Sequence, residues 1–129
     1  DYAILNKLLK ILLASEVKNI VTELLKYTID QKKLTKQLLH QFISLGVDLN
    51  EPDANGQYPL IRAVKSKSAS MVAELLATGK INVQICQDGH NALWYVEDTQ
   101  DMNFADRQGM IDLLKRAGVT EQEQKCVIQ

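Results

Sequence analysis

Apolar positions along this chain fall in short helical runs, each broken by a polar turn. Residues 3–13 carry Ile4, Leu5, Leu8, Leu9, Ile11, Leu12 and Leu13, an apolar arc too wide for a free surface helix, so the segment must pack on something. A second helix is predicted from Ser15 or Glu16 with Ile20, Val21, Leu24 and Leu25 as its apolar stripe, and a third over 34–45. Leu60, Ala63 and Val64 then mark one face of a short helix, and Met71, Val72, Leu75 and Leu76 the buried face of the next. Pro59 suits the first helical position, because its φ is already helical and its missing N–H leaves no bond unmade. Gly79 fits the left-handed residue at which a helix stops. Further on, Asn91 is a candidate N-cap before Leu93. A last helix spans about 106–117 and ends at Gly118, and residues 120–129 read as a polar, frayed tail.

The runs repeat. Leu38-Leu39 and Met71-Val72 are 33 residues apart, and so are Gly46 and Gly79, the spacing at which a turn plus two helices recurs in a stacked array. Ile20-Val21-x-x-Leu24-Leu25 has the internal spacing of Met71-Val72-x-x-Leu75-Leu76, and Leu9 precedes Ile20 by the interval that separates Leu60 from Met71. Residues 3–26 thus read as a degenerate unit without its turn. Leu38 follows Ile20 by only 18 positions, too few for a full intervening unit. Either 27–33 form a vestigial first helix or the N-terminal helices make a cap, and the cap is favoured because an array needs atypical ends. Leu93 to Met110 is six residues longer than Leu60 to Met71, and the polar stretch 98–104 is the predicted insertion.

Asp53, Gly56, Pro59, Leu60 and Ala63 match, as they stand, the turn and first helix of the pattern D-x-x-G-x-T-P-L-H-x-A-A. The chain therefore resembles the ankyrin-repeat family, and Gly46-Val47-Asp48-Leu49-Asn50 resembles that family's closing turn. Two positions depart from the pattern. Tyr58 stands where Thr is usual and Ile61 where His is usual, so the hydroxyl–imidazole bond between family repeats is lacking and more apolar, less regular stacking is expected.

The resemblance implies an all-α, ankyrin-repeat solenoid of stacked helix-turn-helix units. It would have a degenerate helical N-terminal repeat or cap over 1–45, repeats over 46–118 and a flexible tail over 119–129. It also implies a non-catalytic protein–protein interaction module whose partner docks on the concave face. Carried over, the contact positions are Ala54, Asn55, Gln57, Lys65 and Ser66 in one unit, and Gln87, Asp88, His90 and Asp98 in the next. Trp94 joins them as a candidate anchor. It sits beside Tyr95 on one helix, where adjacent residues face different ways, so one ring is exposed and able to carry binding energy unless both lie between helices.

Composition narrows the function further. With 15 basic and 16 acidic residues among 129, the chain has no global field to attract nucleic acid or an anionic membrane. No run of about 18 apolar residues is present to span a bilayer. The first residue is Asp, which is read as a fragment or a processed chain. Cys86 in a predicted turn and Cys126 near the end could form one bridge but no framework, so a reducing, cytoplasmic setting is expected. His40 and His90 are read as solvated and have no nucleophile motif, phosphate loop or carboxylate pair around them, so no enzyme is expected. Cys86 and His90 make half a zinc site at most, so neither metal nor cofactor is expected.

The ending Cys126-Val127-Ile128-Gln129 fits the C-a-a-X prenylation pattern, with Gln favouring farnesyl. A frayed tail would give a prenyltransferase access to Cys126, and the lipid would associate the module with a membrane, although one chain without a polybasic helper binds only marginally. Prenylation implies a eukaryotic cytosol, hence a host protein or an effector delivered into a host cell by a bacterium. The alternative reading is a C-terminal targeting or substrate-recruiting domain of a larger enzyme, or of such an effector.

Overall fold

The computed structural model describes residues 3–7, 18–53 and 55–119, and the described chain is mostly helical. Backbone 3–7 is helical. Six longer helices follow: α1 (Lys18–Asp30), α2 (Lys36–Ser44), α3 (Pro59–Lys65), α4 (Ala69–Ala77), α5 (Ala92–Asp98) and α6 (Phe104–Arg116). A two-stranded antiparallel hairpin, β1 (Cys86–Gln87) and β2 (His90–Asn91), precedes α5, with Cys86 opposite Asn91 and Gln87 opposite His90. No helix among the described residues is long and apolar enough to cross a membrane.

Local chemistry sets the helix ends. The Thr35 hydroxyl accepts the Leu38 N–H at 3.1 Å, the Asn91 side chain the Trp94 N–H at 3.0 Å, and the Asn103 side chain the Asp106 N–H at 2.7 Å. Each satisfies one of the amides that a helix start leaves unpaired. Pro59 occupies the first turn of α3. Gly46, Gly79 and Gly118 adopt positive φ just past α2, α4 and α6, where a side chain would strain the left-handed exit.

The helices pack in two rows. In one row α1 lies against α3 and α3 against α5, and in the other α2 lies against α4 and α4 against α6. The pairs α3–α4 and α5–α6 join the rows. Between them lies one apolar cluster that includes Leu25, Ile29, Leu39, Leu60, Ile61, Leu75, Leu93, Met110 and Leu114. Ile61, standing where the resemblance would put His, is fully buried, and Tyr58 packs against the cluster's edge.

Polar bonds between successive helix pairs run beside this core. Arg62 grips Asp30 through two nitrogens at 2.8 and 2.6 Å. Asn50 accepts the Asn82 N–H at 2.7 Å and donates to the Lys80 carbonyl at 2.9 Å. Asp106 of α6 accepts the Ala69 N–H at 3.0 Å, which caps α4 where Ser68 makes no side-chain cap of its own.

Three sequence expectations change. Ile20-Val21-x-x-Leu24-Leu25 was matched to the pattern of α4, yet the helix that carries it, α1, packs on α3 and so occupies the first-helix row. Its buried stripe is Val21, Leu25 and Ile29, while Ile20 and Leu24 are exposed. Helical periodicity groups residues by face but does not say which face meets a neighbour. Residues 27–30, which the vestigial-helix alternative gives to a separate first helix over 27–33, complete the same α1. The six-residue insertion also divides: two residues lengthen the loop, 99–103 against 66–68, and four add a turn to the start of α6.

Candidate functional site

Two structures organise the surface on which the candidate contact residues fall. The first is the turn around Asp53. Its Oδ1 accepts N–H bonds from Asn55 at 2.8 Å and Gln57 at 3.0 Å, and its Oδ2 lies 2.9 Å from Lys26 Nζ on α1. The Asp53 side chain is almost wholly buried. Burial works against its ionisation, but the Gln57 N–H, Lys26 and the Asn55 N–H together hold its carboxyl below the usual carboxylate range. Asp53 therefore shapes the turn and ties it to α1.

The second is an aromatic cluster where the hairpin meets α5. The His90 ring stacks on Trp94, with centroids 3.7 Å apart and planes 10° from parallel, and Trp94 meets Tyr95 edge-on at 5.0 Å. Tyr95 is buried, and its hydroxyl donates to the Gln87 carbonyl at 2.7 Å. Burial, with the Asp88 carboxylate nearby, raises the Tyr95 pKa above its usual value. Lys65 reaches across from α3 to place its ammonium 5.1 Å from the Tyr95 ring centre, within cation–π range. Trp94 remains half-buried, and the His90 Nδ1 is buried without a hydrogen-bond partner.

Of the predicted contact residues, Lys65, His90 and Trp94 thus gather around Tyr95, and Asp88 and Asp98 lie close enough to act on its charge. The others do not join them. Asn55 is exposed in the Asp53 turn. The Gln57 side chain accepts from Arg62, and the Ser66 hydroxyl donates to the Ala63 carbonyl at the end of α3. Gln87 is a correction: it is buried, and its side-chain oxygen accepts the Tyr58 N–H at 2.9 Å. It links the start of α3 to the hairpin before α5. His90 is another, since it is stacked and half-buried where a solvated ring was expected. His40 is exposed as expected. Cys86 is disulfide-bonded, which departs from the expected reduced thiol. Ala54 and Cys126 lie outside the described residues.

Sequence reasoning passed over Arg107. Its guanidinium donates to the carbonyls of Val96, Glu97 and Thr99 and so closes the C-terminal end of α5 from α6. A cavity of about 110 Å³ lies between α1 and the turn at 47–53, bordered by Glu23, Asp48, Glu51 and Asp53. Lys26 already neutralises its most buried carboxylate. Among the described residues no group of three or more His, Cys, Asp or Glu could hold a metal ion. No known protein family, curated protein or solved structure matches the chain.

Proposed function

We propose that this chain is a non-catalytic, ankyrin-type protein-binding module that grips its partner at the aromatic cluster beside the hairpin. One observation carries the reading. Lys65 from α3 and His90, Trp94 and Tyr95 from the next unit meet in one patch, with Asp88 and Asp98 near it. Tryptophan and tyrosine side chains held by a rigid frame are among the residue types that dominate binding energy, at roughly 2 kcal/mol or more for the strongest positions. The frame supports this use, because the tips of the Asp53 turn and of the hairpin, at Asn55, Gly56 and Asp88, are exposed.

The test is retention of partners by the chain with Lys65→Ala, Asp88→Ala, His90→Ala and Trp94→Ala combined. Binding should fall at least tenfold for a loss of about 1.4 kcal/mol, with helical circular dichroism unchanged. Full retention by the folded variant would move the site elsewhere. Trp94 is the chain's one tryptophan, so its emission should shift when a retained partner is titrated in.

Farnesylation of Cys126 would add membrane association to the same module, and it requires that thiol to be reduced when the transferase acts. With two cysteines in the chain, a thioether at Cys126 and a disulfide joining it to Cys86 exclude one another. Intact mass measured from eukaryotic cells should show the isoprenoid increment, absent in Cys126→Ser. A wild-type mass without it would remove tethering from the proposal and leave binding untouched.

A further inference from the structure

Each of the helices α1, α3 and α5 runs into a short loop, 31–35, 66–68 and 99–103, and one non-glycine residue in each loop takes a positive φ: Lys32, Lys67 and Asp101. These three hold matching places, so the charge of the loops can be compared from one to the next. The first two are basic. Lys32, Lys33 and Lys65 are exposed and Lys67 is half-buried, and none of the four makes an ion pair among the described residues. The third is acidic, with Asp98 ending α5 where Lys65 ends α3.

A cleft lies between the first two loops. The bonds from Arg62 to Asp30 draw the ends of α1 and α3 together, and beside them Asp30, Arg62, Lys65, Ser66 and Lys67 line an open cleft of about 420 Å³, within the volume that small ligands fill. Of its lining residues Asp30 alone is acidic, and Arg62 already neutralises it. That leaves Lys65 and Lys67, with Lys32 and Lys33 in the loop after α1, as uncompensated positive charge in a chain whose acidic and basic residues nearly balance.

We infer that this cleft takes a short acidic segment of a partner protein, its carboxylates pairing with Lys65, Lys67 and the Lys32–Lys33 loop. The inference rests on the protein-binding reading and gives the partner's contacting segment its chemistry. Lys65 lies over Tyr95 and also lines the cleft, so a partner that grips the aromatic cluster passes the cleft. Charge limits the length of the segment. A nucleic-acid strand would carry negative charge past the second loop toward Asp98 and Asp101 and be repelled there, whereas a few carboxylates held at the first two loops are not.

Anisotropy of a dye-labelled oligoglutamate peptide, titrated with the full chain, tests this. Binding should saturate, weaken as salt is added, and fall about tenfold in Lys33→Glu with Lys67→Glu, where two pairs become repulsions. Lys80→Glu with Arg116→Glu, which changes net charge equally at exposed positions outside the cleft lining, should bind as the parent does, each variant being compared at unchanged helical circular dichroism. Equal weakening in both double variants, a lack of saturation, or tighter binding of a single-stranded oligonucleotide of equal charge would each overturn the inference. The binding reading fails separately. Partners lost when Lys65, Asp88, His90 and Trp94 become Ala, but kept by Lys33→Glu with Lys67→Glu, would leave the aromatic grip standing and remove the acidic segment.

Discussion

At the scale of single residues, Asp53 couples the fold to pH. The charged carboxylate is stabilised by the Gln57 and Asn55 N–H groups and by Lys26, so its folded pKa lies below the unfolded value. Its contribution is therefore fully present above the unfolded pKa, near 3.8, and is lost as pH falls through the lowered folded value. Asp53→Asn should cost on the order of 1–2 kcal/mol at pH 7, the worth of bonds to a charged group. It should also flatten the loss of stability on acidification, as urea titrations between neutral and strongly acid pH would measure. The Asp53-x-x-Gly56 spacing marks this turn in the sequence. Lys26 as the partner is not marked there, because it arrives from α1 across a tertiary contact. The same holds for Arg107, one unremarkable cation among 15 basic residues until α6 brings it under the end of α5.

Among the elements, α4 and α6 meet where Gly109 faces Ala69. A Cβ added at Gly109 would sit 3.3 Å from the Ala69 Cβ, tight but open to a small shift. Gly109→Ala gains about 1 kcal/mol of helix propensity against that crowding and should be close to neutral. Gly109→Leu has no such room and should destabilise by about 1–3 kcal/mol as it prises the helices apart. Thermal unfolding of the two variants side by side checks the contrast. The helix ends at Pro59, Asn91 and Gly79 were legible, because each acts through its own backbone or through bonds to near neighbours, whereas the Thr35 cap of α2 was not read from the sequence. The start of α6 was less so: Asn103 caps it and the helix begins at Phe104, two residues ahead of the predicted beginning near Asp106, since the added turn shows no apolar periodicity. Phe104 at that start is 80% exposed, so its apolar character gave no guide to packing.

For the whole molecule, α3 is the element that touches α1, α4 and α5, so damage to it should reach every unit. Leu60→Ala, at a fully buried position, should cost about 2–5 kcal/mol. It should lower one shared transition, seen alike by circular dichroism and by Trp94 emission from α5. Separate midpoints for the two probes would mean that the units unfold independently. By itself the sequence determined what neighbours along the chain can decide: the 33-residue recurrence, the proline start of α3, the Asn91 cap of α5 and the glycine exits of α4 and α6. Tertiary structure alone decided that Val21, Leu25 and Ile29, not Ile20 and Leu24, face the core, that Gln87 and Asp106 bond to the preceding unit, and that His90 lies flat on Trp94. The reason is physical. Periodicity and capping are written in spacings of three or four residues, whereas the choice of a buried face, or of a partner about 30 residues away, depends on which surfaces meet when the rows assemble.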